Sequence, residues 1–341
     1  MRTVYRRGLP ALLTVALTTG VVGFGTPALA AGAAPTGTFT LSANAIWSGQ
    51  RVTLTQNDLN DPEGDAVTRK IFWGDGASVE TNGTETSWTH TYINTPATYT
   101  VSVKLNDGET EVPATLASPT VAITNAPGTL GWKNSTVWTY PGYYNEATFA
   151  PTNLPTNADQ AWTDWKDGEY TLLKEGAAST EAGHWYPTGT FSPTVQFENK
   201  NGKANVRTAN ALNVRDDTTA PTAGFTWPAK NVANAAKSYQ TLRGTGRDSE
   251  AGADGAEVWI YKWNNVGFIA YWDFARKNWI KYNGDDIPMT AIADVPVSAS
   301  GTWAVPVNGF AKGWKIEVGY SVYDKVGNYS EPKWADFTLT S

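Results

Sequence analysis

Tyr99-Thr100-Val101-Ser102-Val103-Lys104-Leu105 and, far downstream, Ile316-Glu317-Val318-Gly319-Tyr320-Ser321-Val322 alternate apolar and small or polar residues one by one. A period of two puts every second side chain on the same face of an extended chain, as in a strand with one buried face and one open face. No long stretch sustains a 3.6-residue period with caps, and clusters of Gly, Pro, Asn and Asp punctuate the short apolar runs. The pattern predicts an all-β chain. A parallel-sheet enzyme scaffold would need strands alternating with amphipathic helices, and the sequence carries no such alternation.

The strand at Tyr99 belongs to an internal repeat. Ile71-Phe72-Trp73-Gly74-Asp75-Gly76, His90-Thr91-Tyr92 and Tyr99 to Leu105 recur in order as Asp164-Trp165-Lys166-Asp167-Gly168, His184-Trp185-Tyr186 and Phe191 to Phe197. The spacing between the turn and the histidine differs by an amount a hairpin loop absorbs, so two copies of one domain are the economical reading. These segments resemble the PKD domain, which is marked by a Trp-x-Phe-Gly-Asp-Gly turn, a His-Thr-Tyr segment and a Gly-Thr-Tyr-Thr-Val strand start. The first copy keeps Gly74-Asp75-Gly76 and His90-Thr91-Tyr92 but has Ile71 for the family's Trp and Trp73 for its Phe. The second copy is divergent: Lys166 replaces the first turn glycine, and Pro193 falls inside a strand, which predicts an edge or a bulge there.

Beyond the polar, proline-containing stretch from Asp216 to Thr222, the pattern changes. Gly244-Thr245-Gly246-Arg247-Asp248, Ala256 to Tyr261 and Tyr320 to Asn328 resemble bacterial immunoglobulin-like modules, whose closing Asp-x-x-Gly-Asn turn joins the last two strands. Gly327 and Asn328 suit such a turn because both tolerate positive φ. The resemblances imply three tandem immunoglobulin-like β-sandwich domains: PKD-like domains at 37–125 and 126–216, and an immunoglobulin-like domain at 223–341.

Upstream of them, Arg2, Arg6 and Arg7 precede an apolar run from Leu9 to about Phe24 and the small-residue site Ala28-Leu29-Ala30. This predicts an export signal over 1–30, by the general or the twin-arginine route, and hence a secreted or cell-surface protein. No later stretch is apolar for the roughly 20 residues a spanning helix needs. The chain has a net charge of −6, and losing the signal arginines makes it more acidic, which argues against nucleic acid as a partner. It has no cysteine, which excludes disulfides, thiolate metal sites and cysteine nucleophiles. Stability must come from packed cores.

The chain has two histidines, His90 and His184, at the same repeat position, so the expected role is structural: a hydrogen bond from imidazole to the neighbouring turn. The same argument applies to Asp75 and Asp167, which are expected to fix their turns through backbone N–H groups rather than act as a catalytic pair. Asp61, Glu63 and Asp65 flank Gly64 at alternate positions, and two readings stand: a solvated acidic turn, or a loop that binds Ca²⁺ through these three residues. Sixteen tryptophans are the main compositional oddity. Between residues 259 and 282 aromatic residues are dense enough that an alternating strand should expose some. Tyr271, Trp272 and Trp279 are then either sandwich packing or a ligand-binding face.

These observations lead to the expectation of a monomeric, non-catalytic binding or spacer protein acting on an extracellular polysaccharide or protein. Rival readings are a purely structural component without a specific ligand, and a secreted hydrolase using acids such as Asp285-Asp286 or Asp248 with Glu250.

Overall fold

A computed structural model describes residues 32–93, 96–175, 181–229 and 235–341. The export signal expected over 1–30 lies outside the described residues. The described chain is β-strand and loop, with two short 3₁₀ turns, Ala236–Tyr239 and Met289–Ala291. None of its helices is long and apolar enough to cross a membrane. By packing, the chain falls into two compact units. Among the described residues, one gathers 32–41, Leu54–Trp88 and Thr100–Pro119; the other gathers Ser42–Thr53 and the described parts of 89–99 and 120–341.

In the first unit, Thr36–Leu41 runs antiparallel to residues 54–60 and parallel to Thr115–Leu116. A second sheet has the order Ser78–Thr81, Thr68–Phe72, Ser102–Asn106, Glu111–Pro113. The alternation read from the sequence is obeyed here: Val103 faces Ile71 across the ladder, Leu105 faces Arg69, and all four are buried. Arg69 tolerates burial because its Nε donates to Gln56 Oε1 and its Nη1 to Gly83 O, both at 2.8 Å. The Trp73 turn closes through Trp73 N–H to Ala77 O (3.0 Å), and Asp75 Oδ1 accepts from Ala77 N (3.0 Å). Gly74, at φ +88°, is required twice over, since a Cβ there would also sit 2.6 Å from Thr100 O.

In the second unit, the second repeat builds the same turn. Trp165 N–H donates to Glu169 O (3.1 Å) and Asp167 Oδ1 accepts from Glu169 N (3.0 Å). Lys166 takes the position of Gly74 at φ +70°. That conformation is unfavourable for lysine, and Asp164 offsets it by accepting both Lys166 N–H (2.9 Å) and Nζ (2.6 Å). Pro193 sits in the two-residue break between Gly189–Phe191, which pairs with Leu212–Asp216, and Thr194–Asn199, which pairs with Gln160–Asp164. The proline therefore marks a change of sheet, where no ladder N–H is needed. Phe149, Trp165, Tyr186, Val195, Phe197 and Leu212 are fully buried in this core.

Trp47 joins that same core although it belongs to the first repeat. The turn it begins is fastened to the hairpin of the second repeat. Gln50 Oε1 accepts from Trp47 N (2.9 Å), and Gln50 Nε2 donates to Asn199 Oδ1 and Gly202 O (2.7 Å each).

The C-terminal segment has its own core. One sheet joins Thr222–Phe225, Thr241–Arg247 and Thr302–Pro306. The other has the order Asn278–Lys281, Phe268–Asp273, Ala253–Trp263, Lys315–Asp324, Lys333–Thr338, with Ile292–Pro296 also paired to Ala253–Trp263. Ile316, Val318, Tyr320 and Val322 point inward at period two. The closing turn forms as expected, with Asp324 N–H donating to Asn328 O (3.0 Å) and Gly327 at φ +95°. Asn328 does not take positive φ; its side chain serves as a donor instead.

Candidate functional site

In the second repeat, His184 and Asp167 are engaged in holding the turn. His184 Nε2 lies 2.6 Å from Asp167 Oδ2, and its ring stacks on Trp165 at 4.6 Å between centroids. This is the imidazole-to-turn bond expected from the repeat. Burial would raise the Asp167 carboxyl, but the bond from His184 and the N–H of Glu169 outweigh it and hold the group below its ordinary value. Asp285 and Asp286 lie on an exposed loop, where Asn283 Nδ2 donates to Asp285 Oδ2 (2.7 Å).

The acidic loop of the first repeat does not converge. Asp61 Oδ1 caps its own turn through Asp65 N–H (2.9 Å), Glu63 Oε1 accepts from Ala33 N (3.0 Å), and Glu63 and Asp65 are exposed. Among the described residues, one group of three or more His, Cys, Asp or Glu brings its ligand atoms within 4.8 Å of one another, and it is elsewhere: Asp217, Asp248 and Asp324.

Each of these aspartates stands at a strand end. Asp217 continues the ladder of Leu212–Asp216, its N–H donating to Thr139 O (2.9 Å), but its side chain reaches the third segment. There Ala251 N–H donates to its Oδ2 (2.8 Å), while Thr219 N–H donates to Oδ1 (2.9 Å). Asp248 follows Thr241–Arg247, and its Oδ1 accepts from Glu250 N and Gly252 N (2.8 Å each). Asp324 ends Lys315–Asp324. Its Oδ1 accepts from the N–H groups of Val326, Gly327 and Asn328 at 2.8 to 2.9 Å, and Asn328 Nδ2 bridges Asp324 Oδ2 (2.8 Å) and Asp217 O (3.1 Å). Glu250 lies beside them. A hydrogen bond with Asp217 raises its carboxyl above the ordinary value, reinforced by desolvation and by the charges of Asp217 and Asp248. In the sequence, Asp248 and Glu250 enter only the rival hydrolase reading, and nothing there links Asp248 to Asp217 or Asp324. Their positions are too far apart in the chain for any spacing motif, although all three fall where a strand meets a linker or turn.

The expected aromatic face is displaced. Trp272 is 3% exposed and lies in the C-terminal core, and Trp279 stands opposite it, packed edge-on at 5.6 Å against the same core. The Trp272 ring is therefore core and cannot serve as a surface platform, while Trp279 is half-buried with its ring packed on that core. Tyr271 alternates to the other face, opposite Tyr261, but is only 9% exposed. The strand Phe268–Asp273 is buried along most of its length on both faces, so simple alternation does not expose half of it.

The outward aromatics are the alternate residues of the neighbouring strand. Trp259, Tyr261 and Trp263 are half-buried while Val258 and Ile260 are fully buried. With Phe268, Tyr282 and Trp334 they form a connected strip: Trp334 lies 5.5 Å from Trp259 and 5.9 Å from Tyr261, and Phe268 lies 4.8, 5.8 and 4.7 Å from Tyr261, Trp263 and Tyr282. Gly319 stands under the Trp259 indole, where a Cβ would come within 2.0 Å of Nε1, so only glycine lets that ring lie across the sheet. Trp263 Nε1 donates to Glu317 Oε2 (3.0 Å), and burial, then the charge of Asp336, push the Glu317 carboxyl up.

No protein-family profile and no curated protein matches this chain. Solved structures similar to it include fibronectin(III)-like modules of Clostridium thermocellum CbhA, at 11% identity over 52% of this chain and 94% of that one, with a TM-score of 0.24. Carbohydrate-binding modules of the β-sandwich superfamily match at 15% identity over 88% and 99%, TM-score 0.25. A two-domain fibronectin type-III segment of chicken tenascin matches at 10% identity over 61% and 97%, TM-score 0.20. Likeness of this degree carries no argument about a ligand or a family.

Proposed function

We propose that this chain is an extracellular, non-catalytic protein that binds polysaccharide on the outer aromatic strip of its C-terminal sheet, with the two repeats serving as a spacer. The observation that carries the reading is the strip itself: six contiguous rings, all partly open, with Trp334 49% exposed. The partly open rings, tilted or edge-on to one another, offer apolar contact area at little conformational cost, and Glu317 and Asp336 between them offer acceptors for hydroxyl groups. Isolated exposed aromatics are ordinary on a protein surface, whereas a connected patch calls for a partner. The fastening of Trp47 and Gln50 into the second repeat supports the spacer role, since it replaces a free linker by a packed joint.

Affinity electrophoresis through a panel of soluble polysaccharides, with co-sedimentation on insoluble cell-wall material, tests the reading. The chain should be retarded by at least one glycan, and Trp334→Ala with Tyr261→Ala should release it. Retention unaffected by both changes would move the site elsewhere, and glycan hydrolysis abolished by Asp285→Asn with Asp286→Asn would replace the binding reading by an enzymatic one.

A further inference from the structure

We propose that Asp217, Asp248 and Asp324 bind one calcium ion, which ties the end of the second repeat to the C-terminal segment. This rests on residues separate from the aromatic strip and stands independently of the polysaccharide reading.

The first ground is charge. Asp217 is 0% and Asp324 2% exposed, yet among the described residues no Lys, Arg or His forms an ion pair with any of the three aspartates. Buried carboxylates without a counter-charge are costly, and proteins that keep them pair them or give them a metal. The second ground is an orphaned atom. Backbone N–H groups occupy Asp248 Oδ1, whereas its Oδ2 is shut off from solvent and has no hydrogen-bond partner. Elsewhere in the cluster N–H donors also fix the aspartates, so the carboxylates are held in place by bonds that do not need the ion.

The chemistry of the donors selects the ion. All are oxygen, which excludes the soft metals that choose thiolate or imidazole. Oxygens within 4.8 Å of one another can share an ion lying about 2.3–2.6 Å from each, the calcium distance. Magnesium holds its ligands at about 2.0–2.1 Å in a strict octahedron, a poor match to three carboxylates drawn from a linker and two separate strand ends.

Because Asp217 belongs to the ladder of the second repeat and the other two to the C-terminal segment, an ion among them links the two segments. Binding to the folded state alone raises stability as free calcium exceeds its dissociation constant.

The test is calorimetry of the full exported chain, freed of metal with EDTA and titrated with calcium chloride, paired with melting curves in EDTA, calcium and magnesium. The wild type should take up calcium and melt several degrees higher in millimolar calcium than in EDTA. Asp248→Asn keeps the Oδ1 acceptor and replaces only the orphaned oxygen. It should fold, melt in EDTA at least as high as the wild type, and lose the calcium-dependent rise. Asp61→Asn with Glu63→Gln and Asp65→Asn should keep it. A wild type that melts alike in EDTA and calcium, an Asp248→Asn variant that keeps the rise, or a rise reproduced equally by magnesium would each overturn the proposal.

Discussion

Replacing Trp272 and Trp334 by alanine, separately, discriminates an inward from an outward ring on one sheet. Trp272 is 3% exposed and packs among the apolar residues of the C-terminal core, with Trp279 edge-on at 5.6 Å. Truncating a buried tryptophan removes its transfer free energy and leaves a cavity that a close-packed sandwich only partly fills, a cost of about 3–5 kcal/mol. Trp334 is 49% exposed and contributes mainly its contacts with Trp259 and Tyr261. At about 0.5–1.5 kcal/mol for an aromatic pair, its loss should cost roughly 1–2 kcal/mol. Urea unfolding of the full chain followed by far-UV circular dichroism reads both, taking the transition that each variant moves, because a multidomain chain need not unfold in one step. With one slope of about 1–3 kcal/mol/M shared by both variants, Trp272→Ala should lower that midpoint by about 1–5 M and Trp334→Ala by about 0.3–2 M, the smaller shift at any one slope. Glycan retention should follow the opposite order: Trp334→Ala loses it, and Trp272→Ala keeps it at temperatures where the variant is folded. A Trp272→Ala midpoint equal to that of the wild type would refute the assignment of that ring to the core.

Two further outcomes follow from contacts in the second unit. Gln50→Ala removes three hydrogen bonds at a buried joint and should cost about 2–4 kcal/mol, at roughly 1 kcal/mol each plus the penalty for groups left unpaired; faster amide exchange confined to 47–50 and 199–205 checks it, and unchanged exchange there would mean the joint is not held by Gln50. Asp167 has a folded-state pKa below its ordinary value, so its stabilising contribution is present above the ordinary carboxylate range and is lost as pH falls through the depressed value. Asp167→Asn should therefore melt below the wild type at pH 6, with the gap closing below about pH 4; a gap that stays constant down to pH 3 would show that the His184 bond does not depend on the Asp167 charge.

The all-β class, the repeat and its turn chemistry were legible in the sequence because they are local. Period-two runs such as Ile316 to Val322 determine which side chains go inward without reference to the rest of the chain. The repeated turn around Asp75 and Asp167 is set by a few neighbouring residues, so its aspartate and histidine could be assigned to structure before any contact was known. Pro193 reads in the sequence as lying inside a strand at an edge or bulge, whereas it lies between two strands of different sheets. Three things were decided only by tertiary structure. Which of two alternating aromatic sets faces solvent depends on what covers each face, and the strand Phe268–Asp273 is covered on both, so Trp272 and Trp279 turned inward while Trp259, Tyr261 and Trp263 turned out. The acidic loop at Asp61, compact in sequence, turns one oxygen each of Asp61 and Glu63 to separate N–H groups, those of Asp65 and Ala33, and leaves Glu63 and Asp65 exposed. Asp217, Asp248 and Asp324, remote in sequence, meet because three strand ends close on one junction, and a convergence of that kind is a property of the sheet connections, which no local pattern encodes.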